Sequence, residues 1–215
     1  MSLWAVVPIK PLRRGKSRLS SRYTEEERMN LNREMLQHTI ERLQQVKGLE
    51  KILVVSRDPE ALTVARKLGA QTLLESGNPG LNVALARASL LAKAYKARGI
   101  IVIPADLPLL EPEDVQEMIN MVNGKPAVVI APDRHHEGTN VMLVAPPDLI
   151  EFSYGKGSFE RHRAEAIEAG ADLRIVEKES TALDLDWPED LDLVSDRYRL
   201  RYFDEEELTE SWVPY

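Results

Sequence analysis

Three aspartates in two separate motifs carry the clearest chemical signal in the sequence. Asp106 follows a run of β-branched residues in I-I-V-I-P-A-D-L-P, and Asp184 and Asp186 stand two residues apart in T-A-L-D-L-D-W-P-E-D-L. An extended backbone places residues i and i+2 on one face, so the last two carboxylates would point the same way. Carboxylates on one face repel each other unless a cation lies between them, and Mg²⁺ binds a few carboxylates together with phosphate oxygens. The pattern predicts a magnesium site formed by these aspartates.

The same aspartates have structural interpretations that the sequence leaves open. Asp106 could only organise the proline-containing turn that follows it, because aspartate is common in turns. Asp186 could cap a helix that begins at Trp187-Pro188, with Glu189 completing a pattern similar to a capping box. The aspartate two residues earlier has no part in such a cap, although a solvated edge strand would accommodate both side chains.

A basic segment follows the first predicted strand. The cations between positions 10 and 18 are Lys10, Arg13, Arg14, Lys16 and Arg18, and residues 1–22 contain no acid. Prolines and a glycine interrupt this segment, so its backbone can approach a ligand while several positive groups converge on it. The segment predicts a phosphate-binding loop, the alternative being an ordinary solvated basic loop. It contains no Walker A motif.

A glycine-rich segment, Y-G-K-G-S-F, precedes a helix predicted over Ser158–Ala169. Free backbone N–H groups at the start of a helix can bind an anion, although Ser158 could equally be an ordinary helix cap. Gly138-Thr139-Asn140 offers a further hydroxyl and further backbone donors at the start of a strand. The histidines show no H-x-x-x-H or H-E-x-x-H spacing and G-x-S-x-G is absent, which argues against a zinc hydrolase and a Ser-His-Asp hydrolase.

Strand and helix signals alternate along the chain and must position these residues. Strands are predicted at Leu3–Val7, Lys51–Val55, Gln71–Leu74, Ile100–Ile103, Ala127–Ile130, Asn140–Val144 and Leu173–Val176. Helices are predicted at Thr24–Val46, Pro59–Leu68, Leu81–Ala97, Glu111–Val122 and Ser158–Ala169. Continuous apolar strands separated by helices indicate an α/β fold with three layers and a mostly parallel sheet. Ligands bind such sheets beyond the carboxyl ends of the strands.

Composition narrows the class of protein. Residues 1–198 are expected to form a single domain, and residues 199–215 a charged C-terminal tail or arm. The chain has 28 Lys and Arg residues against 35 Asp and Glu residues, a net charge of −7, so we expect no nucleic-acid partner. It contains no cysteine, which excludes disulfides, a thiolate nucleophile, cysteine-ligated zinc and iron–sulfur clusters. No apolar run is long enough for a membrane span and no signal-peptide pattern is present, so a cytoplasmic location is expected.

Taken in order, six motifs resemble one enzyme family. They are V-P-I-K…K-S-R-L, G-L-N, P-A-D-L-P, G-T-N, G-x-G-S-F-x-x-H and L-D-L-D-x-P-E-D-L, and the resemblance runs from about residue 4 to residue 195. The family comprises the guanylyltransferases that activate 2-phospho-L-lactate or phosphoenolpyruvate in the biosynthesis of coenzyme F-420. The resemblance implies a glycosyltransferase-A-like nucleotidyltransferase fold, GTP as donor, Mg²⁺ as cofactor and release of pyrophosphate.

The resemblance also implies roles for individual residues. The metal-holding acids would be Asp106, Asp184 and Asp186, with Asp106 and Lys16 catalytic. The phosphorylated acid would be bound by Thr139, Gly155 and Ser158. The triphosphate would lie along Lys10, Lys16 and Arg18, and the nucleoside near Gly80 and Asn82. The nucleophile in this chemistry is a phosphate oxygen that is already ionised, so the lack of a catalytic histidine is expected.

Two departures from the wider pattern and several alternatives remain. The chain has Pro8-Ile9-Lys10 where related nucleotidyltransferases often have paired glycines, and Trp187 is unusually bulky after the second aspartate of its motif.

A nucleotidyltransferase could instead use CTP, or an acceptor such as 3-phospho-D-glycerate or molybdopterin. A catalytically silent nucleotide-binding domain is the alternative from another class. The partners expected are GTP and a small phosphorylated acid, with no membrane and with a homodimer as a possible assembly.

Overall fold

Seven strands form one continuous sheet in this computed structural model, which describes residues 2–77 and 80–195. The strands are β1 (Leu3–Pro8), β2 (Leu49–Ser56), β3 (Gln71–Leu74), β4 (Gly99–Val102), β5 (Ala127–Pro132), β6 (Thr139–Ala145) and β7 (Asp172–Ile175). They are ordered β3-β2-β1-β4-β6-β5-β7, and β6 runs antiparallel to both of its neighbours while the other pairs are parallel. The mostly parallel sheet that the sequence predicts is confirmed.

The helices connect the strands and cover the sheet. They are α1 (Glu25–Leu43), α2 (Pro59–Lys67), α3 (Leu81–Ala94), α4 (Pro112–Asn120), α5 (Ser158–Glu168), α6 (Glu179–Ala182) and α7 (Pro188–Ser195). The one-turn helix α6 is absent from the sequence prediction, because four residues are too few to show a helical period. The predicted tail over residues 199–215 lies outside the described residues, as do the last residues of the predicted domain. No helix among the described residues is both long and apolar enough to cross a membrane.

Two apolar clusters on opposite faces of the sheet make the three layers. In β1, Leu3 and Val7 pack on the face covered by α1, α2 and α4, whereas Trp4 and Val6 pack on the face covered by α3 and α5. All four side chains are at most 1% exposed. A strand that is apolar at every position is therefore buried on both sides, as expected for a parallel sheet between two helical layers.

The order of the strands opens a crevice at one edge of the sheet. The chain steps outward from β1 to β2 and β3, then crosses back through α3 to β4 on the other side of β1. The strand order reverses between β1 and β4, because β1 continues to β2 on one side and β4 continues toward β5 on the other, and such a topological switch point is where α/β sheets bind ligands. Because β6 is antiparallel, its first residues lie at this same edge, with Met142 paired to Val102.

Candidate active site

The structure brings the basic loop and both aspartate motifs together at this edge. The Nζ of Lys16 lies 3.2 Å from Oδ2 of Asp106 and 3.5 Å from Oδ1 of Asp186. The Lys16 side chain is only 4% exposed, and the two carboxylates are about one-third exposed, at 33% and 35%. Residues separated by 90 and 170 positions in the sequence thus share one charged cluster at the end of β4.

The backbone of the basic loop is fixed from two sides. Asn32 of α1 donates from Nδ2 to the carbonyl of Leu12 over 2.7 Å, and Asp58 at the start of α2 accepts the N–H of Leu12 over 2.8 Å. A Cβ on Gly15 would lie 2.5 Å from the Asn32 amide, so only glycine fits beside it. Lys16 follows in the left-handed region, with φ 57°. This strained, clamped turn directs the Lys16 side chain inward.

The segment that carries the other two aspartates has the two-sided pattern that its spacing predicts. Leu183 and Leu185 are buried in an apolar cluster, while Asp184 and Asp186 are partly exposed on the opposite side. The N–H of Leu185 donates to the carbonyl of Asp106 over 2.9 Å, which joins the two motifs through their backbones.

Asp190, the last acid of the L-D-L-D-x-P-E-D-L motif, holds the turn before α7. Its Oδ2 accepts the N–H groups of Asp186 and Trp187 over 2.8 Å and 2.6 Å. The side chain is 1% exposed, and Arg134 pairs with its other oxygen at 2.6 Å. Asp190 satisfies the backbone ahead of this helix, whereas the Asp186 carboxylate binds Lys16 and Arg18.

Arg18 connects the bulky Trp187 to the same cluster. Its guanidinium lies 3.0 Å from Oδ2 of Asp186 and 4.5 Å from the centre of the Trp187 ring. A cation over an indole face is attractive, and guanidinium groups favour this stacking. The tryptophan therefore orients a cation of the basic loop instead of obstructing the site.

Negative charge is crowded at this cluster. Burial, followed by the neighbouring charges of Asp106 and Asp186, raises the pKa of Asp184 to about 6, and Lys16 opposes this shift. The donor set suits Mg²⁺, which binds one or two carboxylates and completes its coordination with phosphate oxygens and water. Among residues 2–77 and 80–195, no three acidic or histidine side chains are arranged closely enough to hold a metal by themselves. A Mg²⁺ ion held here would take its remaining ligands from water or from substrate oxygens.

A cleft of about 380 Å³ runs along this edge of the sheet. The cleft follows the strand order β4-β1-β2-β3. It begins at Asp106 and Lys16, passes Lys10 in the segment after β1, and ends at Glu75 after β3. Gly80 also lines it and precedes α3 with φ 80°, in the left-handed region that favours glycine. Lys10, Lys16 and Gly80 thus lie along one cleft, as the resemblance implies for residues near a nucleotide.

A second polar cluster joins the start of β6 to the start of α5. The N–H of Thr139 donates to Oγ of Ser158 over 3.0 Å, and Oγ1 of Thr139 lies 2.9 Å from Nδ1 of His162. The N–H of Ser153 donates to Nε2 of His162 over 3.0 Å. The ring therefore carries its proton on Nδ1 and donates it to Thr139, which leaves the threonine hydroxyl hydrogen available to a ligand.

The glycine-rich loop before α5 is shaped by its neighbours. Gly155 and Gly157 have φ of 124° and 72°, both in the left-handed region. Arg161 donates to the carbonyls of Ser153 and Lys156, which closes the loop onto α5. Gly157 precedes the first turn of α5 and supplies no side-chain cap. The hydroxyl oxygen of Ser158, the first residue of the helix, accepts the N–H of Thr139.

Asparagines link this second cluster to the cleft and to the aspartates. The side chain of Asn82, at the start of α3, exchanges hydrogen bonds with both backbone groups of Tyr154. Asn140 donates to the carbonyls of Thr181 and Ala182, next to the aspartate segment. The nucleoside contact that the resemblance implies for Asn82 stays a prediction, because its amide here holds the glycine-rich loop against α3.

His162 should make the fold sensitive to acid. It is fully buried, and burial lowers its pKa from 6.5 to about 4, with Arg161 adding to the shift. The unfolded chain then binds more protons between these values, so stability is complete above about pH 6.5 and falls as the pH drops toward 4. At about 1.4 kcal/mol per pKa unit, the lowered pKa of His162 removes up to about 3 kcal/mol from the free energy of unfolding at low pH. Asp184 acts in the opposite direction, since its raised pKa favours folding at lower pH.

We expect His162→Asn to flatten this profile. The amide can still donate to Thr139 but cannot titrate, so the free energy of unfolding should lose much of its decline between pH 6.5 and 4. Urea unfolding at a series of pH values measures it. His38, whose pKa is also lowered by burial to about 4, leaves a residual slope of its own. An unchanged profile in the variant would show that folding does not lower the pKa of the His162 ring.

The sequence does not reveal what some side chains of these clusters contact. His162 ends the G-x-G-S-F-x-x-H motif and follows Ser158 by four residues, so both lie on one face of a helix, but its contact with Thr139 is not encoded in that spacing. Glu75 and Asn32 carry no motif and become visible only in the folded cleft. The structure does bring together Lys16, Asp106 and the two later aspartates, and separately Thr139 with Ser158.

Comparison with known proteins finds relatives that match most of the chain. The sequence is 42% identical over 191 residues to a phosphoenolpyruvate guanylyltransferase of Rubrobacter xylanophilus, covering 89% of this chain and 92% of that protein. It is 34% identical over 187 residues to a 2-phospho-L-lactate guanylyltransferase of Methanocaldococcus jannaschii, covering 86% of this chain and 79% of that protein.

The fold is also found in solved structures of low sequence identity. A cytidylyltransferase from Leptospira borgpetersenii superposes with a TM-score of 0.61 at 16% identity, covering 100% of this chain and 99% of that one. This likeness supports the glycosyltransferase-A-like nucleotidyltransferase fold expected from the motifs. A family model described as "Guanylyl transferase CofC like" matches residues 3–195. The chain therefore belongs to the CofC-like guanylyl transferase family.

Proposed function

We propose that this protein transfers the guanylyl group of GTP to the phosphate of phosphoenolpyruvate or 2-phospho-L-lactate, in the biosynthesis of coenzyme F-420, with release of pyrophosphate. The observation that carries the proposal is the cluster of Lys16, Asp106 and Asp186 at the end of a nucleotide-sized cleft, beside the Thr139–Ser158 cluster. The relatives named above act on these two acids according to their names, and the more similar one is named for phosphoenolpyruvate.

The main obstacle to this reaction is electrostatic, because two polyanions must approach each other. The oxygen of the acceptor phosphate attacks the α-phosphorus of GTP, a new P–O bond forms, and the bond to the β-phosphate breaks with pyrophosphate as leaving group. Cations of the basic loop line the cleft where the triphosphate would lie, and Lys16 adds a nearly buried charge. Such preorganised charges stabilise the negative charge that spreads over the transferring phosphoryl group.

We propose Mg²⁺ as the cofactor, held by Asp106 and Asp186 with Asp184 beside them. When bound, the metal would neutralise phosphate charge and polarise the oxygens of the transferring group. The raised pKa of Asp184 supports a cation at this place, because the charges that raise it are those of the other two aspartates. The Asp106 and Asp186 carboxylates require a positive charge beside them, with or without a bound metal, and Lys16 supplies one in this structure.

The acceptor would bind at the second cluster. Thr139 offers a hydroxyl hydrogen because His162 donates to its oxygen. The glycine-rich loop before α5 would contribute backbone N–H groups, whereas those of Ser158 and Phe159 already donate to the carbonyls of Gly155 and Glu137. These donors suit a ligand with both a phosphate and a carboxylate. A phosphate monoester is largely dianionic near neutral pH, so its oxygen attacks without a general base.

The proposal is tested by substrate preference. The purified protein with Mg²⁺ is given GTP, CTP, UTP or ATP, each with phosphoenolpyruvate, 2-phospho-L-lactate or 3-phospho-D-glycerate in separate reactions, and pyrophosphate release is measured. We expect release with GTP and one of the first two acids, and its loss on chelation of the metal. A preference for CTP would contradict the proposal, and GTP binding without any product would indicate a silent nucleotide-binding domain.

A further inference from the structure

Glu75 places an unusual carboxylate in the wall of the cleft. The residue directly follows β3, and its N–H donates to the carbonyl of Ser56 over 2.9 Å, which fixes its backbone at the sheet edge. The side chain is only 11% exposed. Its Oε1 is fully buried and has no hydrogen-bond partner among the residues that the structure describes. A buried carboxylate oxygen in this state is costly and calls for an explanation.

The nearby cations do not remove the need for a partner. Arg87 approaches Oε1 to 3.6 Å, beyond hydrogen-bond distance, and its own side chain is 49% exposed. Burial raises the pKa of Glu75, while the charges of Arg87 and Arg57 lower it. The arginines therefore favour the ionised carboxylate without satisfying the acceptor capacity of its buried oxygen.

The surroundings of Glu75 suit a flat heterocycle. Val55, Leu81 and Ala84 line the same cleft and offer apolar contacts to the faces of a ring. Three strand spacings, about 14 Å in total, separate the edge at β4 from the edge at β3. An extended nucleotide can bridge that distance, with its phosphates at Lys16 and its base at Glu75.

The donor pattern of guanine matches a carboxylate better than that of any other common base. Guanine carries two adjacent donors, N1–H and the 2-amino group, which one carboxylate can accept together. Adenine and cytosine set a ring-nitrogen acceptor beside their amino group, and uracil sets carbonyls on both sides of N3–H. Each of these would place a lone pair against one carboxylate oxygen, which is unfavourable when buried.

We infer that Glu75 selects the guanine base by accepting hydrogen bonds from N1–H and the 2-amino group. The inference rests on the proposed function, since it presumes that a guanine nucleotide is the donor substrate. It names the residue that distinguishes GTP from CTP within a fold shared with cytidylyltransferases.

The test combines the substitution Glu75→Gln with the replacement of guanine by xanthine in the nucleotide. Xanthine keeps N1–H but has a carbonyl in place of the 2-amino group, so an amide can pair with it where a carboxylate cannot. We expect Glu75→Gln to lower kcat/KM for GTP by about 100-fold and to raise that for XTP, measured with saturating acceptor. The GTP-to-XTP preference of the wild type should thus shift by about three orders of magnitude or more. A preference unchanged within threefold would overturn the inference.

Arg87→Met is the matched control. It removes the cation near Glu75 and leaves the carboxylate, so a purely structural ion pair predicts the same loss of stability in both variants and no change in base preference in either. We expect Arg87→Met to keep the wild-type ratio of GTP to XTP turnover within about threefold. A shift of that ratio as large as in Glu75→Gln would assign selection of the base to the arginine and overturn the inference.

The wild type alone gives an independent measurement should Glu75→Gln fail to fold. ITP lacks only the 2-amino group, so we expect its kcat/KM to be about 10- to 100-fold below that of GTP. Equal use of ITP and GTP would overturn the inference while the proposed function stands. Preference for CTP over GTP would overturn both, which separates the two failures.

Discussion

Asp106→Asn is expected to lower pyrophosphate release from GTP and acceptor by at least about 1,000-fold. The variant keeps the shape of the side chain and removes its charge at the end of the nucleotide cleft. Asp106 is the only one of the three aspartates that β4 positions directly, and its carbonyl also receives the N–H of Leu185. Neither the ammonium of Lys16 nor a metal ion would find its full set of negative partners in this variant.

The fold should tolerate the same change. One of the like charges that raise the pKa of Asp184 disappears, and Lys16 keeps its contact with Asp186. Because Asp106 is one-third exposed, we expect the free energy of unfolding without metal to change by no more than about 1 kcal/mol. Asp148→Asn, at an ion pair with Lys93 away from the cleft, is the matched control and should keep near-normal turnover. Near-normal turnover in Asp106→Asn would remove this residue from the reaction.

The layers of the fold were accessible from the sequence because burial leaves a local signature. The run I-I-V-I predicted a strand between two helical layers, and the structure buries it on both faces as β4, over Gly99–Val102. The alternation from Leu183 to Asp186 predicted which side chains share a face, since a period of two belongs to any extended segment. In both cases the information lies within a few neighbouring residues.

Partners across the fold were not accessible in this way. The contact of Lys16 with Asp106 depends on which strand lies beside β1, and strand order is set by long-range packing that spacing does not encode. The antiparallel direction of β6 likewise follows from its tertiary position, and it alone brings Thr139 to the ligand edge. The spacing of His162 relative to the other histidines fits no metal-binding motif, and its contact with the Thr139 hydroxyl leaves no signal in the sequence.

Isolated acids were the least accessible of all. Glu75 and Asp190 are two of 35 acidic residues: Glu75 lies in no motif, and the motif that contains Asp190 does not by itself assign that carboxylate a role. Burial is what distinguishes them, at 11% exposure for one side chain and 1% for the other. Burial of a charge is a property of the completed fold, so such residues emerge only when the cleft is assembled.

Lys16→Met is expected to lower both activity and stability, and the two losses should respond differently to metal. The ammonium is nearly buried and lies within 3.5 Å of both Asp106 and Asp186. Its removal leaves Asp106 without the ammonium it pairs with and leaves Asp186 with Arg18 alone, which should cost about 1–3 kcal/mol of unfolding free energy at pH 7 to 8. Loss of a positive charge along the triphosphate should lower kcat/KM by about 100-fold or more.

The pH dependence of this variant follows from Asp184. Lys16 opposes the raised pKa of that carboxyl, so its removal should raise the pKa further above 6. A carboxyl with a raised folded pKa favours the folded state at low pH and disfavours it once ionised. The stability deficit of Lys16→Met should therefore be largest at alkaline pH and shrink as the pH falls through the folded pKa of Asp184. Urea unfolding at pH 5 and pH 8 measures this difference.

The response to Mg²⁺ tests whether the aspartates form a metal site or only an ion pair with Lys16. If the aspartates bind Mg²⁺, the ion can replace the missing ammonium, and millimolar Mg²⁺ should stabilise Lys16→Met by more than it stabilises the wild type, while turnover stays low. Lys10→Met is the matched control, because Lys10 is an exposed cation of the same loop and its loss should leave stability unchanged. If Mg²⁺ stabilised none of the three proteins, the carboxylates would not bind the metal, and the proposed cofactor would have to be abandoned. Equal stabilisation of all three would mean that the ion does not take the place of the Lys16 ammonium. A selective response would identify Lys16 as the cation that holds this site in the absence of metal.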